Sequence, residues 1–334
     1  MHATAQTLTA QTLNAWSVTA YGGPEKLAPV TRAMPTPGPN DVLIRIRASA
    51  VSRADGMMRA GLPRFARAFI GFRRPRHDLI GTCLSGEVIA TGSAVSRFAV
   101  GDEVYGMAGM SFSANASHIC MDENGVLMHK PAALSHEEAA VMGDGAITSF
   151  NFLHEVAELR AGEKVLILGA AGSLGTAAVQ IASAIGAEVT GTCSARNAGM
   201  VASLGASRVI DYATEDFTRS AERYDVIYDT LGISSFGRAK RALTRNGRYV
   251  CPVLNGALLG ASLRSALWGA RKARFSATGM LKPERQRAMH QQLIDLVEAD
   301  KFAPVMDRTY PLGELVEAHR YMETGHKRGN VVVV

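Results

Sequence analysis

Val165-Leu-Ile-Leu-Gly169-Ala-Ala-Gly172-Ser173-Leu174-Gly175 organises everything around it. Four apolar residues predict a buried strand, and it runs straight into Gly169, Gly172 and Gly175. A helical pattern follows, with Leu174, Ala178, Ile181 and Ile185 on one face. Small residues in such a turn let backbone approach a pyrophosphate. The helix start then offers unpaired N–H groups and the positive end of its dipole. A glycine-rich turn alone is weak evidence, and a bare strand–helix turn is the plain alternative. Here it opens a strand–helix–strand series, which predicts dinucleotide binding.

Downstream, strands are expected at 165–168, 188–193, 208–210, 225–229 and 248–253, with helical patterns between most of them. That alternation predicts a parallel sheet. Upstream, from about Trp16 to Ala140, short β-rich runs such as Val42-Leu-Ile-Arg-Ile46, 87–90 and 103–105 are broken by Gly and Pro. They predict a barrel-like β domain. Ser135 followed by Glu138 marks a capped helix start at 136–142. The apolar run 330–334 predicts a last strand that returns to the first domain. The expected division is 1–140 with 280–334 for the β domain and 141–279 for the nucleotide domain. The fold class is therefore α/β, a β-barrel domain plus a doubly wound parallel sheet.

Composition narrows the function. A chain of 334 residues suggests two domains at about 150 residues each. The 36 basic and 30 acidic residues leave a mild excess of +6, too small to imply nucleic acid. No apolar run is long enough for a membrane span, so no stable insertion is expected. Cys83, Cys120, Cys193 and Cys251 form no C-x-x-C pair, which argues against a disulfide framework and a cysteine zinc site. The first 25 residues hold no Lys or Arg, and 1–14 reads as a polar extension, so a cytoplasmic location is expected.

The end of the second parallel strand selects the dinucleotide. An NAD site usually places Asp or Glu there to bond the ribose 2′-OH. This chain reads Thr190-Gly-Thr-Cys193-Ser194-Ala-Arg196-Asn197, without an acid. Ser194 can donate to a 2′-phosphate and Arg196 can fork onto it, which predicts NADPH. The plain alternative for Arg196 is a solvated residue on the next helix.

The sequence resembles the medium-chain dehydrogenase/reductase superfamily, in its zinc-free quinone oxidoreductase (zeta-crystallin-like) branch. Its ordered motifs include Tyr21-Gly-Gly-Pro-Glu-Lys-Leu27, Pro37 to Leu43, Ala50 to Asp55, Gly81 to Gly86, Val100 to Gly106, the Gly169–Gly175 turn, Leu204 to Tyr212 and Gly325 to Asn330. The resemblance implies a GroES-like catalytic domain interrupted by a Rossmann domain, with the nicotinamide in the cleft between them. It implies that Ser173 and Leu174 meet the pyrophosphate and that Ser194, Arg196 and Tyr212 surround the 2′-phosphate. Leu231 and Gly232 would lie beneath the cofactor, with Thr148 and Asn330 near the nicotinamide.

The same resemblance bears on catalysis. Zinc members hold their metal with Cys, His and Cys or Asp; here Ser52 and Thr82 stand at the first two positions, with Asp144 near the third. Hydroxyls are poor zinc ligands, so no catalytic metal is expected. Cys83 is read as packing, and His77 lacks suitable partners. Where quinone reductases often carry Asn and Tyr beside the nicotinamide, this chain has Ser52 and Met57. The cleft candidates are thus Ser52, Asp55, Met57 and Thr148, with no assigned acid; Asp55 has a second reading as a turn cap.

Two basic stretches remain. Arg64, Arg67, Arg73, Arg74 and Arg76 are interleaved with Phe65, Phe69 and Phe72, fitting an anionic substrate tail such as a CoA phosphate, an acidic membrane surface, or a solvated flap. Residues 258–272 read as one amphipathic helix for core covering, subunit packing or a membrane surface. A homodimer is expected by resemblance. The expected activity is NADPH-dependent reduction of a small quinone, enone or similar activated double bond. The alternatives are a 2-enoyl thioester (CoA) reductase and a catalytically silent NADPH-binding sensor.

Overall fold

The computed structural model describes residues 12–64 and 67–334. Most of the polar extension and Phe65 lie outside these residues. The chain divides into two compact units. The first runs to Lys130 and also takes Thr309–Gly325 and Val331–Val334; the second takes Pro131–Arg308 and His326–Asn330. These divisions differ from the expected 140/141 and 279/280. The reason is packing: the helix Pro283–Glu298 sits on the helix Ile147–Phe150, so both belong with the nucleotide-type sheet.

In the first unit, β1 (Thr12–Val18) and β2 (Leu27–Ala33) form an antiparallel pair. The main sheet contains β3 (Asp41–Val51), β4 (Cys83–Thr91), β5 (Glu103–Met107), β6 (His118–Asp122), β7 (Val126–His129), β14 (Met306–Tyr310) and β15 (Asn330–Val333). Its order is β14-β15-β3-β4-β5-β7, with β6 also on β3. β3 is long enough to pair three partners, and register shifts at Leu43/Ile44 and Ile46/Ala48 bend it between them. Val42, Ile44, Leu84, Val88, Val104, Ile119 and Leu127 fill the core of this curved sheet. The last strand does return here, with Val331 opposite Val51.

Among the described residues, three α-helices complete the unit: α1 (Arg53–Ala60), α2 (Arg67–Ile70) and α10 (Leu315–Glu323). Arg59 on α1 is buried, and its guanidinium ties the helix to its neighbours. Nε donates to Gly22 O at 3.2 Å, Nη1 to His319 Nδ1 at 3.1 Å, and Nη2 pairs with Glu323. A buried cation persists only when its donors are satisfied in this way.

The second unit begins with α3 (His136–Val141), a π-helical turn at Met142–Ala146 and α4 (Ile147–Phe150). Ser135 caps α3 as expected: its Oγ accepts from Glu138 N at 3.2 Å, and Glu138 Oε2 accepts from Ser135 N at 2.9 Å. Then β8 (Lys164–Leu168), α5 (Ser173–Ile185), β9 (Glu188–Cys193), α6 (Ala198–Ser203), β10 (Arg208–Asp211), β11 (Tyr224–Asp229), α7 (Phe236–Ala239), β12 (Leu243–Val250), α8 (Gly256–Leu267), β13 (Lys272–Arg274) and α9 (Pro283–Glu298) follow. All five strand pairings are parallel, in the order β10-β9-β8-β11-β12-β13. Counted from β8, that is the dinucleotide order 3-2-1-4-5-6, whose direction reverses between β8 and β11.

Two expectations are corrected. β12 occupies Leu243–Val250 rather than 248–253, because Pro252 cannot donate to a ladder. The stretch read as one helix over 258–272 is helix α8 ending at Leu267, then Gly269 at φ +87°, then the edge strand β13.

Candidate cofactor site

The site lies at the carboxyl end of β8, where the order of the parallel sheet reverses. Gly169 has φ +78°, a region that favours glycine. Its N–H donates to Thr192 Oγ1 at 3.1 Å, and Gly172 N–H donates to Gly169 O at 3.1 Å. A Cβ on Gly175 would sit 2.1 Å from Gly169 O and 2.6 Å from Ala170 Cα. Only glycine lets α5 pack this closely on the turn. Gly169 supplies the turn's positive φ and Gly175 its close packing, whereas Gly172 has an ordinary φ of −84° and room for a Cβ.

No side chain caps α5, and no acid stands in its first turn. Its terminal N–H groups and dipole are left facing whatever occupies the turn. Ser149 Oγ donates to Leu174 O at 2.7 Å and fixes that first turn from behind. Gly145 comes so near that a Cβ on it would lie 2.2 Å from Ser173 Oγ. The segment carrying Asp144 and half-buried Thr148 is thus threaded past the start of α5.

The segment His326–Asn330 runs along the other side. Gly329 N–H donates to Ala171 O at 2.8 Å, and Gly172 and Gly329 form a parallel bridge. Ser173 Oγ donates to Asn330 Oδ1 at 2.6 Å, while Asn330 Nδ2 donates to Val305 O at 3.0 Å. At its other end, His326 O accepts from Arg196 Nη2 at 3.2 Å. One short segment therefore joins the end of β9 to the start of α5.

At the end of β9, Ser194 is half-buried and Arg196 is exposed. Tyr212 N–H donates to Cys193 O at 3.3 Å, which brings the 63% exposed Tyr212 beside them. Asp211 is the nearest acid on the adjoining strand, and its Oδ1 is engaged by Ala213 N at 3.0 Å. On the other flank, a Cβ on Gly169 would strike Leu231 Cδ1 at 2.6 Å, so Leu231 covers the turn directly. The structure brings Thr148, Gly169, Gly172, Ser173, Leu174, Gly175, Leu231 and Asn330 to one turn, and Ser194, Arg196 and Tyr212 to its β9 end.

Two features escape the sequence reading. Asp229 is fully buried and organises the loop after β11. Its Oδ1 accepts from Gly232 N at 2.8 Å and Ile233 N at 3.2 Å; its Oδ2 accepts from Ser234 N and Tyr249 Oη, both at 2.8 Å. Satisfying a buried carboxylate this fully holds Leu231 and Gly232 in place. The signal available was an acid closing an apolar strand just before a glycine. The second feature is Lys327, half-buried, with Nζ donating to Gly329 O at 2.6 Å. Burial pulls its pKa down to about 8, against the upward pull of Asp144 and Asp307. Burial raises the Asp144 carboxyl, with the charge of Lys327 opposing it.

The remaining cleft candidates lie in the first unit. Ser52 and Asp55 are buried and hydrogen-bond to each other. Asp55 Oδ2 accepts from Ser52 N at 2.8 Å and Ser52 Oγ at 2.9 Å, while Ser52 Oγ accepts from Asp55 N at 3.2 Å. This is a capping box at the start of α1, so the turn-cap reading of Asp55 is the one the geometry gives. Met57 is half-buried one turn on. Cys83 is fully buried, with Sγ 3.6 Å from Thr82 Oγ1; His77 is exposed. Among the described residues, no three His, Cys, Asp or Glu side chains gather as a metal site.

Comparison with known proteins agrees with this architecture. The alcohol dehydrogenase GroES-like domain model matches residues 38–157, and the zinc-binding dehydrogenase model matches residues 204–333. The chain is 32% identical over 360 residues to the NAD(P)H oxidoreductase RTN4IP1, mitochondrial, of Mus musculus, covering 96% of this chain and 88% of that one. It is 31% identical over 333 residues to the 2-methylene-furan-3-one reductase of Solanum lycopersicum, covering 96% and 79%. The structure of the quinone oxidoreductase from Coxiella burnetii superposes with a TM-score of 0.84 at 27% identity, over 97% of this chain and 99% of that one.

Proposed function

This chain belongs to the medium-chain dehydrogenase/reductase superfamily, in its quinone oxidoreductase branch, and on that premise we propose that it is an NADPH-dependent, zinc-independent reductase of quinones, enones or similarly activated double bonds. The observation that carries the cofactor choice is the end of β9, where Ser194 and Arg196 stand and no acid closes the strand. The glycine cradle and the uncapped α5 fit a pyrophosphate held by the N–H groups of Ser173 and Leu174. Ser194 donates to the 2′-phosphate and Arg196 forks onto it, with Tyr212 alongside. Asp229 holds the Leu231–Gly232 loop that supports the cofactor from below.

When bound, the cofactor would supply a hydride, that is one proton with two electrons, to an electron-poor atom of the acceptor. The acceptor's oxygen or adjacent carbon then takes a proton from water. A quinone needs little further help, since reduction aromatises it. Zinc independence is supported by the donor chemistry. Ser52 and Thr82 offer hydroxyls, and that of Ser52 is already committed to Asp55. The enone arm is supported by the relative named as a furanone reductase. A thioester acceptor is a second reading. Its support is a recess of about 770 Å³ that exposes Arg73, Arg74 and Arg76 and whose one carboxylate, Asp78, is paired with Arg32 at 2.9 Å.

The test is cofactor oxidation by chelator-treated protein, with NADPH and NADH against quinones, enones and enoyl thioesters. The expected result is chelator-resistant turnover that prefers NADPH. Arg196→Glu is expected to lower kcat/KM for NADPH about 10–100-fold, the worth of a charged hydrogen bond, and to leave NADH within a few-fold. Equal losses with both cofactors would remove Arg196 from the 2′-phosphate site. NADPH binding without turnover on any acceptor would favour the sensor.

A further inference from the structure

Residues 56–77 hold six arginines and no Asp or Glu. Two of the six are engaged inside the first unit. Arg59 is buried against Gly22, His319 and Glu323. Arg67 lies over the Tyr21 ring at 4.4 Å and donates to Ala60 O at 3.0 Å and Gly61 O at 2.9 Å. Arg73, Arg74 and Arg76 are exposed and reach no carboxylate among the described residues. Together with Phe72 they line the recess of about 770 Å³, where Asp78 is already paired with Arg32.

The backbone of this loop, which follows α2, is pinned. Gly71 N–H donates to Arg67 O at 3.0 Å, Arg76 N–H donates to Ile70 O at 2.7 Å, and Tyr21 Oη donates to Gly71 O at 2.6 Å. Gly71 has φ +127°, and a Cβ on it would lie 2.1 Å from Arg74 O. Gly71 and Pro75 are buried, yet Phe72 between them is 82% exposed. A solvated flap would turn its aromatic ring inward, and this ring faces out. A lone exposed apolar side chain is ordinary. One presented by a fixed turn among three unpaired arginines is a different feature, because charge and ring are offered together.

We propose that this loop docks on an anionic membrane surface, with Phe72 entering the headgroup boundary and lipid phosphates seated in the recess against Arg73, Arg74 and Arg76. All four side chains line one recess, so ring and cations meet the same surface. A guanidinium fork matches a phosphate, and each cation near an anionic bilayer adds about 1 kcal/mol. The aromatic ring supplies the apolar anchor that charge alone lacks. A soluble phosphate ester would use the arginines and leave the ring without a partner. Docking is peripheral: no described helix is long and apolar enough to cross a membrane. It rests on the first unit alone and requires nothing of the cofactor site.

Full-length protein would be sedimented with phosphatidylcholine vesicles, with and without phosphatidylglycerol, at low and raised salt. The expected result is binding to the anionic vesicles alone, weakened by salt. Phe72→Ser is expected to weaken it about tenfold. Arg73→Gln/Arg74→Gln is expected to weaken it about fivefold per cation removed, with the melting temperature unchanged in both variants. Phe72→Trp is expected to keep binding and to show a blue shift on anionic vesicles beyond any shift of the parent. Equal binding to neutral vesicles, binding to neither kind, or anionic binding that Phe72→Ser and Arg73→Gln/Arg74→Gln both retain in full would overturn the proposal. So would adenosine 3′,5′-bisphosphate binding that Arg73→Gln/Arg74→Gln abolishes in a protein that ignores vesicles, since the recess would then take the tail of a soluble ester.

Discussion

Lys327 is the residue whose environment says most about the site's charge. Its ammonium is half-buried beside Gly329, and Gly329 bridges to Gly172 in the turn that would hold the pyrophosphate. Burial lowers its pKa to about 8, so it is cationic below that pH and neutral above. An anion bound nearby favours the charged form and raises the pKa again. Affinity for both NADPH and NADH is therefore expected to fall as pH rises through about 8. Binding above that pH is expected to take up a proton, visible in calorimetry as a dependence on buffer ionisation enthalpy. Lys327→Met is expected to weaken both cofactors about tenfold and to flatten the pH dependence. An unchanged pH profile in the variant would place Lys327 outside the phosphate site. Sequence reading reached the motif Gly325 to Asn330 but could not single out Lys327. Its meaning depends on burial and on Asp144 and Asp307, which are distant in the chain.

At the scale of elements, periodicity was a good guide where one face of an element meets the core and a poor one where it does not. The strands at 165–168 and 188–193 are apolar or small apart from the exposed Glu188 and are found almost as read, as Lys164–Leu168 and Glu188–Cys193. The first residues of β12, Leu243-Thr-Arg-Asn-Gly247, carry no such pattern. They join the sheet through a register shift opposite Tyr224/Val226, a tertiary feature with no local signature. β13 is a three-residue edge strand with charges at both ends, which reads as solvent-facing surface. Caps were legible because they are local: Ser135 with Glu138, and Ser52 with Asp55, lie three residues apart. The second pair also yields a prediction. Asp55→Ala removes the carboxylate that accepts from both Ser52 N and Ser52 Oγ, so it is expected to cost about 1–2 kcal/mol in urea denaturation. If Asp55 serves as a cap alone, kcat/KM of the folded variant stays within a few-fold of the parent. A loss of a hundredfold or more in turnover at full folding would instead give the carboxylate a part in the chemistry.

Among the described residues of the whole molecule, each unit carries one fully buried histidine that folding keeps neutral. His319 on α10 lies in the first unit, fully buried, with Nδ1 facing Arg59; burial first and then that cation push its pKa down to about 3. His290 on α9 lies in the second, where burial alone pushes it down to about 4. Above pH 6.5 both rings are neutral whether the chain is folded or not. Below it the unfolded chain takes up two protons that the folded chain refuses until about pH 4 and 3. Stability contributed by these two sites is therefore complete above pH 6.5 and is lost as pH falls toward the folded-state values. The slope is about 1.4 kcal/mol per pH unit for each ring. Denaturant titrations from pH 7 to pH 4 are expected to show that slope in the parent. His319→Gln and His290→Gln are each expected to remove one ring's share, at some cost in stability at neutral pH. Gln keeps an acceptor that can face Arg59, so His319→Gln isolates the titration from the lost hydrogen bond. The sites sit in different units, so their effects are expected to add in the double variant. A parent and double variant with parallel pH profiles would show that other groups govern the acid limb.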